Sequence, residues 1–298
     1  MIEQFQQELP HGITLSCRAA GAHGRPVLMF LHGFPEAAFA WDELLEHFAK
    51  PENGGYRCVA PNLRGFEKST QPSDVKLYRA KHLVQDIEAL IAIEGSPLEC
   101  LVAHDWGGAV AWNLANQRPE LARRLAIINS PHPNTFAREL ATNPKQQAAS
   151  AYMNFLIRPD AEQLLRADGY RRLFQFFVSG GQAPWLTEDV KQQYRDIWDA
   201  SLPGGCNYYR ASPIRPPTET DPGACGITLP REMGTISIPT LVLWGMDDVA
   251  LGPELIEGLD DYITDLTLEK VEGVGHWIIH ERPAFVADRL QRFLARDQ

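Results

Sequence analysis

The sequence predicts an α/β protein: a mostly parallel sheet flanked by helices and interrupted once by a helical insertion. Short Val/Ile/Leu-rich runs at 27–31, 57–60, 100–103 and 125–128 have the length and composition of buried strands. Segments of helical spacing at 40–48, 80–93 and 108–117 lie between them, the alternation that parallel strands need for their crossovers. After Pro133 the alternation stops: helical patterns and then a Gly/Pro-rich tract at 203–230 fill the chain until strand signals return at 240–244 and 266–271. The expected organisation is a first core part at 1–133, a helical cap at 134–231 and a second core part at 232–298. A last helix at 283–295 aligns Phe285, Val286, Leu290, Phe293 and Leu294 on one stripe, which suits packing back on the sheet. Such a core with one insertion fits a chain of 298 residues.

With 28 Lys+Arg against 38 Asp+Glu the formal charge is −10, and no basic run exceeds the pairs Arg123–Arg124 and Arg171–Arg172. That composition argues against a nucleic-acid partner. The segment 1–8 lacks the basic and apolar regions of a secretory leader, and no apolar run approaches the roughly 18 residues of a membrane helix. The five cysteines are scattered, with no C-x-x-C pair for zinc or redox work. The expectation is a cytoplasmic protein with no membrane association; oligomeric state is not encoded in any visible pattern.

Chemistry concentrates where strands end. At 101–108 the apolar strand runs through His104-Asp105-Trp106 directly into Gly107-Gly108 and a helix. A strand–turn–helix of this kind lifts its middle side chain above the sheet and aims the following N–H at a developing oxyanion. The apex is Asp105, and the competing reading makes Asp105 an ordinary helix N-cap. After the strand at 27–31 stands His32-Gly33-Phe34-Pro35-Glu36. A sharp turn there presents the Phe34 N–H, which with the Trp106 N–H makes a two-donor oxyanion hole; otherwise it is a proline-stiffened loop. Near the C-terminus, Asp247-Asp248 follows one strand and His276 the next. The order Asp105, Asp248, His276 is nucleophile, acid, base. A histidine so placed accepts a proton from water, while a carboxylate behind it sets the tautomer.

These segments resemble the α/β-hydrolase family, and within it the epoxide hydrolase and haloalkane dehalogenase branch that uses an aspartate nucleophile. The resemblance spans essentially the whole chain and rests on HGFPE at 32–36, HDWGG at 104–108, WGMDDVAL at 244–251 and GHW at 275–277. The family spacing W-G-x-x-D-x-x-L puts the acid at Asp248, with Asp247 as its rival; where some members carry the acid after the preceding strand, this chain has Asn129-Ser130.

An aspartate nucleophile selects the reaction. Attack on an ester carbonyl would give an anhydride and expel an alkoxide, a poorer leaving group than the attacker, whereas attack on an sp³ carbon leaves a stable alkyl ester. An epoxide oxygen then needs a phenol proton, and a halide needs N–H donors. The resemblance implies lid tyrosines at Tyr152, on a helix expected at 147–157, and at Tyr209, in Asn207-Tyr208-Tyr209-Arg210; both also read as packing residues. Phe34 stands where the similar dehalogenases carry Asn, and Trp106 replaces the arginine of fluoroacetate dehalogenases. The expected activity is opening of a small apolar epoxide by water. Haloalkane dehalogenation by the same triad and a non-catalytic receptor are the alternatives.

Substrate contacts are expected from His32, Pro35, Trp106, Tyr152 and Tyr209. No cofactor is expected, because no G-x-G-x-x-G follows a strand. No metal is expected either: His276 and His280 are four apart but lack an H-E-x-x-H context. His280 reads as a helix-terminus residue, His104 as support for the turn, His132 as structural and Glu36 as a lid or loop contact.

Overall fold

The computed structural model describes residues 1–296. Its sheet opens with two strands that no apolar run announces, β1 (Glu3–Glu8) and β2 (Thr14–Ala20), paired antiparallel with each other and, through β2, with the rest. β1 is an edge strand whose residues are exposed or half-exposed, so polar side chains suffice there. The apolar runs form the buried centre: β3 (Val27–Leu31), β4 (Arg57–Pro61), β5 (Cys100–His104) and β6 (Leu125–Ile128) are buried at every residue. β7 (Thr240–Gly245) and β8 (Leu266–Val271) complete a sheet of order β1-β2-β4-β3-β5-β6-β7-β8, parallel from β4 onward.

Alternate residues of each strand feed opposite layers. Leu28 and Phe30 pack with Leu44, Leu45, Phe48, Val286 and Leu290 of α1 (Asp42–Ala49) and α10 (Pro283–Leu294), the latter preceded by the short α9 (Ile278–Glu281). Met29 and Leu31 pack with Leu83, Ile87, Val110 and Leu114 of α2 (Ala80–Glu94) and α3 (Trp106–Gln117). The chain leaves β3 for β4 on one side and returns to β5 on the other, so the carboxyl ends of β3 and β5 border the crevice where strand order reverses, the usual ligand position in open α/β sheets.

Between β6 and β7 come α4 (Pro133–Thr142), α5 (Pro144–Ala149), α6 (Tyr152–Leu156), α7 (Ala161–Val178) and α8 (Glu188–Ala211). One expectation is corrected here. The single helix at 147–157 is two, broken at Ser150–Ala151, where the Ala151, Met153 and Asn154 amides bond to carbonyls three residues back, tightening the turn out of the α-helical pattern. The Gly/Pro-rich tract begins inside a helix, since α8 runs through Pro203, Gly204 and Gly205 to Ala211. Proline leaves the Asp199 carbonyl without its helical donor, and Arg166 Nη2 donates to that carbonyl at 3.4 Å. Gly204 is needed there, since a Cβ would strike the Gly65 backbone. Among the described residues no helix is long and apolar enough to cross a membrane.

Candidate active site

The carboxyl ends of β3, β5, β6, β7 and β8 deliver their loops to one place. Asp105, between β5 and α3, has φ 50° and ψ −122°, a conformation L-residues rarely adopt. The tight turn is possible because two following residues lack side chains. A Cβ on Gly107 would come within 2.7 Å of the His32 carbonyl and nearer still to that of Leu31, while one on Gly108 would overlap Ser130. Ser130 Oγ in turn donates to the Asp105 carbonyl at 2.6 Å. Gly107→Ala is therefore expected to cost about 1–3 kcal/mol through overpacking against backbone. Calorimetry should show a fall of several degrees in Tm, and an unchanged Tm would refute this account of the turn.

Asp105 is not an N-cap: its side chain makes no bond to the first turn of α3. Instead Oδ1 accepts the Phe34 N–H at 2.7 Å, and Oδ2 lies 3.8 Å from His276 Nε2. Of the two expected oxyanion donors, Phe34 N–H thus already faces the Asp105 carboxylate. Trp106 N–H belongs to the first turn of α3, where amides lack intrahelical acceptors.

His276, at 11% side-chain exposure, donates from Nδ1 to Asp248 Oδ2 at 2.7 Å. The rival Asp247 is exposed and offers His276 no contact. Asp248 is held on every side: Asn129 Nδ2 donates to Oδ2, and the Ala250 and Leu251 amides donate to Oδ1, all at 2.9 Å. Burial would raise its pKa, but His276 and these donors outweigh burial and hold it below the usual carboxylate value. Burial works against the charged form of His276 as well, yet Asp248 and then Asp105 raise it to about 9. In the resting molecule His276 is an imidazolium set between two carboxylates.

Tyr152 and Tyr209 line the cavity that has Asp105 in its wall. Tyr209 stands edge-on to Phe34 and Trp106, with ring centroids 5.3 and 5.1 Å apart, and Tyr152 lies 6.1 Å from Tyr209. Burial first, with the Asp105 charge contributing, pushes both phenols well above the ordinary value, so both keep their protons. The cavity measures about 570 Å³ and is otherwise mostly apolar.

Two expected substrate contacts lie elsewhere. His32 is fully buried, its Nδ1 donating to the Gly33 carbonyl at 2.9 Å and its Nε2 accepting the Leu63 N–H at 3.1 Å. Burial lowers it to about 4, and this neutral ring serves the turn, not the cavity wall. Pro35 is also buried away from the wall, its carbonyl taking the Trp198 indole N–H at 2.7 Å. His132 Nε2 donates to the Gly234 carbonyl at 2.8 Å, and burial lowers it to about 4.

The role of Glu36 is larger than a loop contact. Its carboxylate, fully buried, meets His104 Nδ1 at 3.0 Å and His280 Nε2 at 2.5 Å, and accepts the Tyr194 hydroxyl of α8 at 3.3 Å. His104 reaches on to the main-chain carbonyl of His276 at 2.9 Å. Burial alone would raise Glu36, but His280 and His104 hold it far below the usual range. His280 is thereby a hydrogen-bond partner of Glu36, its ring stacked on Trp185 at 4.0 Å between centroids. Spacing cannot reveal this knot, because its members come from four separate parts of the chain; only the polar type of Glu36 inside an otherwise apolar turn hinted at it.

Residues 26–283 match the family model described as the alpha/beta hydrolase fold. The chain is 33% identical over 288 residues to the AB hydrolase superfamily protein YfhM of Bacillus subtilis, covering 95% of each. It is 30% identical to human epoxide hydrolase 4 over 96% of this chain and 77% of that one. Among solved structures, a Bacillus megaterium epoxide hydrolase in complex with an inhibitor superposes with a TM-score of 0.88 at 30% identity, covering 98% of this chain and all (100%) of that one. One of the novel epoxide hydrolases from metagenomes of hot environments gives 0.88 at 36% identity over 99% of both chains. With the sheet order, the strained turn at Asp105 and these likenesses together, the chain belongs to the alpha/beta hydrolase fold family, on its epoxide hydrolase branch.

Proposed function

We propose that the protein hydrolyses epoxides to vicinal diols through a covalent ester on Asp105, with 134–231 acting as the cap over the site. The observation that carries this reading is the arrangement of Asp105: one oxygen held by a backbone N–H, the other facing His276, and two protonated phenols on the same cavity wall. Asp105 Oδ2 attacks a ring carbon, the C–O bond breaks, and its electron pair takes a proton from Tyr152 or Tyr209. Oδ1 becomes the ester carbonyl, already at the Phe34 N–H.

Esterification removes the charge of Asp105, one of the three carboxylates, with Asp248 and Glu36, that raise His276. The imidazolium then gives its proton, relayed by solvent, to the tyrosinate left by ring opening and becomes a base. Water on the His276 side loses a proton to Nε2 and attacks the ester carbon, and the oxyanion on Oδ1 is met by the Phe34 and Trp106 amides. Collapse expels the diol alkoxide, which takes the second proton of the attacking water from the new Asp105 carboxyl and so restores the Asp105 carboxylate. The first water proton, on Nε2, restores the imidazolium that had reprotonated the phenol. Asp248 keeps the His276 tautomer and stabilises its charged form.

Removing the base should stop the cycle at the ester. We expect His276→Ala, incubated with terminal epoxides and bromoalkanes, to show in intact mass spectrometry an adduct of the whole epoxide mass located on Asp105. An alkyl adduct that has lost halide, without an epoxide adduct, would favour dehalogenation; no adduct from either series would leave the reading without its intermediate and reject it.

A further inference from the structure

The base borders a second pocket. The large cavity has Asp105 in its wall but not His276, and a smaller one of about 40 Å³ has His276 but not Asp105; among the described residues the two share no lining residue. The smaller pocket lies between the cap segment 177–185 and the core loops that carry Val249, His276 and Glu281. His276 stands between the two spaces: its side chain is 11% exposed, and its Nε2 lies 3.8 Å from Asp105 Oδ2. The large cavity is mostly apolar, whereas Ser179, Gln182 and Glu281 give the small one hydroxyl, amide and carboxylate groups. A volume of about 40 Å³ holds at least one water, whose share of the liquid is about 30 Å³, and such a water needs roughly two to four polar partners.

The walls of this pocket are fastened and its mouth is open. Trp277 Nε1 donates to the Phe176 carbonyl at 3.0 Å, and the Phe177 ring meets Trp277 edge-on at 4.7 Å between centroids. Glu281 Oε2 accepts the Gly275 N–H at 3.2 Å, which fixes the carboxylate beside the segment that carries His276. At the mouth Ser179, Gly180, Gly181 and Gln182 are all exposed, and a Cβ on either glycine would meet nothing within 4 Å. Val249, 52% exposed, is a further lining residue with a solvent face. The reaction needs such a route. Once Asp105 is esterified the alkyl group lies in the large cavity, and a water entering there must shed hydrogen bonds in apolar surroundings beside the substrate. A polar pocket at His276 brings water to the base without crossing that space.

We infer that the pocket at His276 is the site and entry port of the hydrolytic water, separate from the route of the epoxide. The inference rests on the epoxide hydrolase reading and deepens it by giving the second substrate a site of its own. It assigns Ser179, Gln182 and Glu281 to water and leaves ring opening independent of them.

The test fills the pocket and times the two half-reactions separately. Val249→Trp and Gln182→Trp each bring a large ring to the pocket from an exposed position, where the fold has room for it, and one folded variant suffices. In rapid-quench kinetics with a terminal epoxide, ester formation should stay within about twofold of wild type, while ester hydrolysis slows about tenfold and the ester accumulates. The pH midpoint of ester hydrolysis should stay in place, because a shortage of water lowers the rate without changing His276. Val249→Ala should hydrolyse its ester at the wild-type rate. Loss of both half-reactions together, a displaced midpoint, or undiminished hydrolysis in both filled variants would overturn this inference alone. If the wild type forms no ester, the epoxide reading falls and the inference with it.

Discussion

Asp105→Ala is expected to abolish diol formation from epoxides, lowering kcat by at least about 10⁴-fold, the scale seen when a nucleophile acting in a catalytic unit is removed. The loss should be almost entirely chemical. Asp105 makes no capping bond to α3, and its side chain faces the cavity, so its removal leaves the buried layers of the sheet untouched. Circular dichroism should be unchanged and Tm should stay within a few degrees of the wild-type value. The His276 adduct experiment, repeated on the double variant Asp105→Ala/His276→Ala, should give no adduct. A single variant that retains near-normal diol formation would remove Asp105 from the mechanism.

Asp248→Asn should stall the second half-reaction. The Asn side chain can still accept the Ala250 and Leu251 amides, so the loop keeps its shape, but His276 loses the carboxylate 2.7 Å from Nδ1. By the measure of other histidine–carboxylate pairs, ester hydrolysis should slow about 10⁴-fold. Rapid-quench kinetics should then show ester formed in one burst with little turnover after it; a variant that turns over normally would show that His276 does not depend on Asp248.

The same substitution has a pH signature. In the folded wild type His276 is raised from 6.5 to about 9, so its contribution to stability is complete below about 6.5 and is lost as pH climbs through 9. Asp248, lowered by its partners, contributes above its unfolded value of 3.8 and loses that contribution as pH falls through its lower folded value. In Asp248→Asn the alkaline part of this dependence should flatten, read as a smaller difference in Tm between pH 6 and pH 9.5. An unchanged difference would mean that Asp248 does not hold the His276 proton.

The division between sequence and structure follows the range of the interactions involved. The central strands are legible because a strand buried on both faces must be apolar throughout, whereas β1, solvated at an edge, has no composition to declare it. Asp105, Asp248 and His276 are legible because each follows its own strand, and the sheet gathers strand ends without further instruction. Which carboxylate serves His276 was open between Asp247 and Asp248, and only tertiary geometry separates them, one exposed and the other buried under three donors. His32 and Pro35 show the converse: neighbours of a site residue in the chain, they point into the core because a tight turn alternates what it exposes. α8 passes through Pro203 because a distant arginine supplies the missing donor, and the Glu36 knot assembles from segments far apart. By itself the sequence determined the fold class and the placing of Asp105, Asp248 and His276 each after its own strand, since both depend on local periodicity and strand ends. The tertiary structure decided which groups meet, how they are charged and what shape of molecule the cavity accepts, because burial and Coulombic pairing depend on distances in space and not along the chain.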